Sequence, residues 1–343
     1  MIEIDGSYGE GGGQILRMSV ALSAVTGKDV KITNIRAGRK KPGLAAQHLT
    51  GIKSVGEMCG ANVDGLEIGS QKVEFHPGAL KGGRYRFDIG TAGSITLVFQ
   101  ACFIPALHAP MKSVLTVTGG TDVRWSPPMD YFQNVFLLTV EKMGVFAKVE
   151  KVKRGYYPKG GGKVVLHIEP RAKLVPLKLD KMNEGLRIGG ISHVSNLPSH
   201  IPERMSESAK KELVRLGRPD IELKTYGGES AFGQGGAIVI WAKNEDTVLG
   251  GDATAERGVR AEKVGETAAK ELSKEIRSGA TLDVHLSDQM LPYMAMADGE
   301  SSFLVREITN HTTTNMWLIE HFFDAEFEKT QVGELHKIVV RPR

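Results

Sequence analysis

The feature that most constrains this chain is a pattern that keeps returning: a short run of alternating or β-branched residues, a glycine, then an apolar stripe at helical spacing. Residues 1–4 read as a strand, followed by a glycine loop and a helix whose apolar face is Ile15, Met18, Ala21, Leu22 and Val25, closed by Gly27. A strand at 30–35 comes next, then a second helix over 44–58 with Gly60 where a left-handed terminator belongs. Val73 and Phe75, then Tyr85, Phe87 and Ile89, alternate with period two, and Ser94 stands ready to cap a third helix carrying Leu97, Val98, Cys102 and Leu107. A strand at 114–117, a helix over 128–143 and strands at 145–152 and 163–168 repeat the order. Such repetition points to an α/β (α+β) chain assembled from similar units in tandem.

At 343 residues the chain is long for one compact core, which favours two domains or one large domain carrying an insertion. After Pro170 the pattern restarts with a helix around 203–216, a buried-looking strand at 237–242 and a helix at 263–276. The expectation is a smaller α/β domain inserted at 184–279, with 1–183 and 280–343 forming the large one. The glycine-rich run 227–236 reads as a mobile connection within that insertion. Beyond Gly279 the expected order is strand, helix, strand.

Charge and cysteine usage narrow the setting. A net charge of +4 permits a polyanionic partner without demanding one, but its distribution is uneven. Residues 28–41 hold Lys28, Lys31, Arg36, Arg39, Lys40 and Lys41 against the single acid Asp29, a concentration suited either to phosphate groups or to a solvated loop. Only Cys59 and Cys102 occur, without metal-ligand spacing, so neither a disulfide framework nor a structural zinc site is expected. Residues 1–5 lack a basic segment leading into an apolar core, and the longest apolar stretch, near 95–107, is interrupted and too short to span a bilayer. The expectation is a soluble cytoplasmic protein with no membrane association.

Chemistry is first suggested by Gly9-Glu10-Gly11-Gly12-Gly13-Gln14, between a strand and a helix. Glycines there either make a tight turn or expose backbone N–H groups to a phosphate at a helix N-terminus. The stretch is not a Walker loop, since no Gly-Lys-Ser/Thr closes it, and Gln14 stands where a Rossmann loop would have its last glycine. An anion such as Glu10 among phosphate-cradling amides is awkward unless it holds a metal ion that itself binds phosphate. Gln14 and Arg17 follow one and nearly two helical turns later, so all three can face one cleft. Taken alone, Asp288 is a first-turn acid complementing a helix dipole. Gln100 is a polar residue in an apolar helix, and His311 a lone histidine at a helix start. The other nine histidines, His48, His193 and His321 among them, read as structural or exposed.

Longer segments carry a resemblance. Arg154-Gly155-Tyr156-Tyr157-Pro158-Lys159-Gly160-Gly161-Gly162-Lys163-Val164 resembles the arginine-glycine, proline, triple-glycine pattern of the RNA 3′-terminal phosphate cyclases. The stretches 5–17, 36–44, 119–128 and His285-Leu286-Ser287-Asp288-Gln289 are similar to the same family, and the likeness runs nearly end to end, weakest between about 183 and 279. It implies a large domain of three repeated βαβαββ-type units with a smaller inserted α/β domain. It implies His311 as an adenylylated nucleophile assisted by Arg17 and Asp288, and Glu10 as the ligand of Mg2+ or Mn2+. ATP contacts fall on Gln14, Gln100, Pro127, His285, Leu286, Ser287, Asp288 and Gln289, and RNA phosphate contacts on Arg36, Arg39 and Gln47. His285 departs from the pattern by standing where an aromatic residue is accepted. RNA 3′-phosphate ends are the implied partner, with no obligate protein partner.

The implied chemistry has a physical logic. A phosphate dianion repels the neighbouring 2′-hydroxyl and oxide leaves poorly, so the phosphate must be activated by attachment of AMP before the ring closes. Neutral imidazole, with an ordinary pKa near 6.5, offers the lone pair that takes AMP from ATP. Two other readings compete: a non-catalytic RNA-binding relative, which should lack the nucleophile, and an enolpyruvyl transferase built from comparable repeats, for which only fold analogy speaks.

Overall fold

The computed structural model describes residues 1–171 and 173–343. The chain opens with β1 (Ile2–Asp5), α1 (Gly13–Thr26), β2 (Val30–Thr33), α2 (Ala46–Cys59), β3 (Asn62–Asp64) and β4 (Val73–His76). β1 and β2 pair in parallel, and β4 joins antiparallel to both β2 and β3, giving the order β1-β2-β4-β3. Gly27 and Gly60 end the two helices in the left-handed conformation, as glycines past a last turn do.

The arrangement then repeats. β5 (Gly83–Asp88), α3 (Ile95–Leu107), β6 (Ser113–Gly119), α4 (Met129–Tyr131), α5 (Leu137–Glu141), β7 (Ala147–Gly155) and β8 (Gly162–Ile168) follow. α4 and α5 are one continuous helical run joined by a π-turn at Phe132–Phe136. Again the first two strands pair in parallel and the others antiparallel, in the order β5-β6-β8-β7.

β9 (Lys178–Leu179) begins a third round, from which the chain departs through β10 (Arg187–Ser195), α6 (His200–Leu213), β11 (Asp220–Tyr226), β12 (Ala231–Phe232), β13 (Gly235–Lys243), β14 (Val248–Thr254) and α7 (Ala261–Ser278). It returns as α8 (Val284–Ala295), β15 (Ser301–Val305), α9 (Asn310–Phe322), β16 (Ala325–Val332) and β17 (Leu335–Pro342). β9 pairs in parallel with β15, and β17 antiparallel with both β15 and β16, so the order is β9-β15-β17-β16. Three βαβαββ units of the same pairing pattern result, and the fold is mixed α/β.

The excursion from β10 to α7 builds its own sheet, β11-β10-β13-β14, with Ile188, Met205, Leu213, Ile240, Val264 and Leu272 in a core of its own. Only β13 and the two helices of this region were expected from sequence. Gly189 and Gly190 weaken β10 as a strand signal, yet the close approach of Trp241 and Val239 requires them: a Cβ at Gly189 would sit 2.8 Å from the Trp241 ring and one at Gly190 2.8 Å from the Val239 oxygen. The glycine run 227–236 is not a mere connection. Its residues Ala231 and Phe232 pair with Arg154 and Gly155 of β7, a backbone contact that side-chain patterning does not announce. Beyond Gly279 the order is helix, strand, helix and two strands, since the segment before α8 is too short for the expected strand.

α3 lies at the centre. Every one of its residues is buried except Gln100, because α1 and α2 pack against it on one side and the aromatic cluster Phe99, Phe103, Phe132, Phe136 and Tyr293 on the other. Edge-to-face pairs of this kind add ~1 kcal/mol each beyond area burial. Among the described residues no helix is long and apolar enough to cross a membrane.

Candidate active site

Gln100, the one polar opening in α3, faces the N-terminal half of α8. Its amide nitrogen donates to Gln289 Oε1 at 2.8 Å, and Gln289 Nε2 donates back to the His285 carbonyl at 2.9 Å. α8 begins there because Asp283 caps it, accepting from the backbone N–H of His285 and Leu286 at 3.0 and 2.8 Å. The same carboxylate accepts from Gly250 N in β14 at 2.9 Å and from the Tyr131 hydroxyl at 2.8 Å, so one buried acid joins three parts of the chain.

α9 begins at Asn310, capped by the Thr309 hydroxyl, which accepts from Thr312 N at 3.1 Å. His311 therefore lies inside the first helical turn, where the run Thr312-Thr313-Thr314 is poor in helix propensity. Tyr8 stacks on Trp317 with centroids 3.9 Å apart, pressing the glycine loop against α9. Gly9, with φ of +58°, approaches so closely that a Cβ there would lie 2.3 Å from Thr314 Oγ1.

This docking brings α1 to His311. Gln14 Nε2 donates to the His311 carbonyl at 3.0 Å, which turns the Gln14 carbonyl oxygen toward His311 Nδ1. That oxygen only accepts, so Nδ1 carries the proton and Nε2 the lone pair. Nε2 faces Glu10 Oε2 at 2.6 Å, while Glu10 Oε1 lies 3.7 Å from Arg39. A carboxylate against a lone pair repels unless a proton or another cation stands between them. Burial pushes the His311 pKa below its ordinary value, opposed by Glu10 and reinforced by Arg17, His285 and Arg39.

Arg17, half-buried, forms no ion pair within 4.0 Å among the described residues; burial lowers its pKa to about 10, against the pull of Asp288, so it stays cationic at neutral pH. Burial pushes Asp288 up to about 7, with His285 and Arg17 pulling it down and Asp283 and Glu10 adding to the rise. His285 stands exposed at the end of α8. Desolvation would lower its pKa, but Asp283, Asp252, Asp288 and Glu271 together hold it above the ordinary value.

The basic loop closes the other side. Arg36, in the left-handed region at φ +52°, donates to the Gly43 carbonyl at 2.7 Å, and its pKa is lowered by burial and by Arg39. Gln47 Oε1 accepts from Ser94 N at 3.2 Å, joining α2 to the cap of α3.

His48, the residue after Gln47 in α2, is one of the histidines read from sequence as structural or exposed, and it is buried. Its Nδ1 accepts from Ala45 N at 3.2 Å and its other face covers Gly13. Burial first, then Arg17 and Arg36, lower its pKa to about 3. Between pH 6.5 and 3 the unfolded chain therefore holds a proton here that the folded chain does not, so stability is full above pH 6.5 and falls on acidification by up to ~1.4 kcal/mol per unit. His48→Asn, which keeps an acceptor near Nδ1, should flatten that slope in denaturation measured from pH 7 to 4; an unchanged slope would remove His48 as its source.

These elements gather a histidine, carboxylates, four amides and several guanidinium groups in one region of the fold. A scan against family descriptions matches residues 8–329 to "RTC: RNA 3'-terminal phosphate cyclase". The chain belongs to the RNA 3′-terminal phosphate cyclase family. It is 50% identical to the RNA 3′-terminal phosphate cyclase of Nitrosospira multiformis over 100% of this chain and 97% of that one. It is 47% identical to the protein of that name from Methanopyrus kandleri, covering 100% and 99%, and 48% to that from Archaeoglobus fulgidus, covering 99% and 100%.

Within this cyclase-family chain not every expected contact reaches the cleft through its side chain. Leu286 is fully buried in the core, and the Ser287 hydroxyl donates to the Val284 carbonyl at 2.9 Å inside its own helix, so neither side chain reaches out of α8. The Pro127 carbonyl accepts from Thr96 Oγ1 at 2.8 Å, which ties the 119–128 stretch to the start of α3. Arg154, first residue of the pattern most characteristic of the family, is architectural: its NH2 donates to both Asp130 oxygens at 2.8 Å and its NH1 reaches Asp122 Oδ2 at 3.2 Å. Asp122, Asp130 and His193 otherwise have the spacing of a metal site, and the guanidinium supplies the positive charge there.

Proposed function

We propose that this chain converts an RNA 3′-phosphate into a 2′,3′-cyclic phosphodiester, using ATP, through AMP carried on His311 Nε2. The observation that carries the reading is the Gln14 clamp, which leaves Nε2 as the free lone pair beside Glu10. His311 attacks the α-phosphorus of ATP and diphosphate leaves; the RNA phosphate then takes AMP from Nε2; the 2′-hydroxyl attacks that phosphorus and AMP departs. Arg17, cationic and without an ion pair among the described residues, would neutralise charge building on the phosphoryl oxygens, as would Arg39 beside the glycine loop. Asp288, with a pKa about 7, can hold or release a proton at neutral pH. Gln100, Gln289 and His285 mark the nucleotide end, and Arg36 and Gln47 the RNA end.

The donor set suits Mg2+ or Mn2+, which are held by one or two carboxylates together with substrate phosphates. Glu10 would hold the ion, which when bound supplies positive charge to the phosphate oxygens. Drawing Glu10 away would leave Nε2 unobstructed. The two buried, unpaired cysteines, Cys59 and Cys102, fit a reducing cytoplasm. Residues 184–279 we take as an inserted domain and 1–183 with 280–343 as the catalytic body.

The test is end-group chemistry. With ATP and magnesium, an RNA oligomer bearing a 3′-phosphate should become resistant to phosphatase, whereas the same oligomer ending in a 2′-deoxynucleotide should not. Equal conversion of both, or of neither by a folded protein, would sink the reading and favour a binding role without catalysis.

A further inference from the structure

The outer face of the second sheet is strongly basic. Alternation along β5 and β8, and along β7 on either side of a bulge between Val149 and Lys151, turns Tyr85, Phe87, Val164 and Leu166 inward and leaves Arg84, Arg86, Lys148, Lys153 and Lys163 outward. Lys153 and Lys163 stand directly opposite each other across the β7–β8 pair, a placement that repels. None of these five cations forms an ion pair among the described residues. The acids on the same face are Glu150, which is engaged by His167, and Asp88, whose Oδ1 accepts from Gly90 N at 2.8 Å. Arg84, Arg86, Glu150, Lys163 and Thr116 line a depression of about 250 Å³ there.

An aromatic ring lies on this basic face. Phe232, 44% exposed, packs over Gly161, and Lys153 Nζ lies 5.8 Å from its centroid. The face is also continuous with the candidate site. Gln47 holds Ser94 N and packs against Gly93; Ala92, beside it, meets Gly160; and Gly161 carries Phe232.

We propose that this face is the track for the RNA strand leading to the 3′ end, with phosphodiesters on Lys153, Lys163, Arg86 and Arg84 and a base stacked on Phe232. The proposal rests on the reading that the terminal phosphate sits near Gln47. Cationic grooves combined with stacking rings are how single strands are held without regard to sequence. A track of this kind matters only for substrates long enough to reach it.

The experiment compares binding of a fluorescent RNA dodecamer and a trinucleotide, both 3′-phosphorylated, across a salt series. Lys153→Gln/Lys163→Gln/Arg86→Gln should weaken the dodecamer about tenfold or more. It should also lower the log–log salt slope by about 2, since each phosphate neutralised on a single strand contributes ~0.7 to that slope. The trinucleotide should change less than about twofold. Phe232→Ala should weaken the dodecamer about fivefold or more, given the worth of one stacked base. Circular dichroism checks that each variant is folded, and Arg84→Gln/Arg86→Gln, on a different strand, provides a second reading of the same face. A dodecamer that binds no tighter than the trinucleotide, or a triple variant with unchanged affinity and slope, overturns the track. Wild-type protein that binds the dodecamer with the expected slope but closes no ring would refute the cyclase reading while leaving the track in place.

Discussion

His311→Ala is expected to abolish protein-bound AMP when the chain is incubated with α-phosphate-labelled ATP and magnesium, and to lower ring closure by on the order of 10³-fold or more. The reason is the hydrogen-bond logic at Gln14: Nδ1 is committed as a donor, so Nε2 alone can form the bond, and among the described residues no second histidine pairs with Glu10. The bound AMP of the unaltered protein should be acid-labile, as a phosphoramidate is. Because burial lowers the His311 pKa, the neutral ring persists on acidification, and labelling should decline only below about pH 6.5, the ordinary histidine value. Glu10→Gln removes an influence that raises that pKa, so its residual labelling should fall off at still lower pH. Undiminished label on the alanine variant would move the nucleophile elsewhere.

Arg154→Met should cost ~3–5 kcal/mol of stability, the range for breaking a buried ion pair from one side. The guanidinium is 2% exposed, bonds two carboxylates that are each 4% exposed, and lies 5.0 Å from the centre of the Tyr226 ring. Burial alone would raise the Asp122 pKa; Arg154, with His193, holds it well below the usual range instead. Its depressed pKa means that Asp122 contributes stability above about pH 4 that is lost as the pH falls. Without Arg154 two acids remain in a dry site with only His193 near, so denaturant midpoints should drop sharply. Arg154→Lys should recover little, since one ammonium cannot fork to both partners. A midpoint within about 0.5 kcal/mol of the parent would show that the cluster repacks.

The two residues also show what could be read from the sequence. Gln14 and Arg17 were legible together because α1 sets them three residues apart, whereas Glu10 lies in the glycine loop ahead of that helix and meets His311 only through the fold. His311 was not legible from its neighbours: what positions it is the stacking of Tyr8 on Trp317 and the clamp from Gln14, both contacts across some 300 residues. The elements with strict periodicity, α1, α2 and α3, appeared in the sequence nearly as they fold. β10 was hidden because glycines demanded by Trp241 look like a loop, and β12 because two residues pair through backbone alone. Arg154 sat in the most telling motif, yet spacing could not say that it faces a core and not a substrate; that depends on Asp122 and Asp130 arriving on another segment. Asp283 was missed for a similar reason, since it is defined by partners on α4 and β14.

The place where the chain leaves the third unit and the place where it rejoins are neighbours, for the Thr281 hydroxyl donates to the Leu179 carbonyl at 2.8 Å. A detour that departs and returns through one doorway imposes no stretch on its host, and lengthening it costs only the slow logarithm of loop closure. The register of β9 with β15 is thus indifferent to how many residues pass through. Residues added to or removed from this segment leave the glycine loop and α9 undisturbed as long as they spare its contacts with the host: Gly250 on Asp283, Tyr226 and His193 in the Arg154 cluster, and β12 on β7.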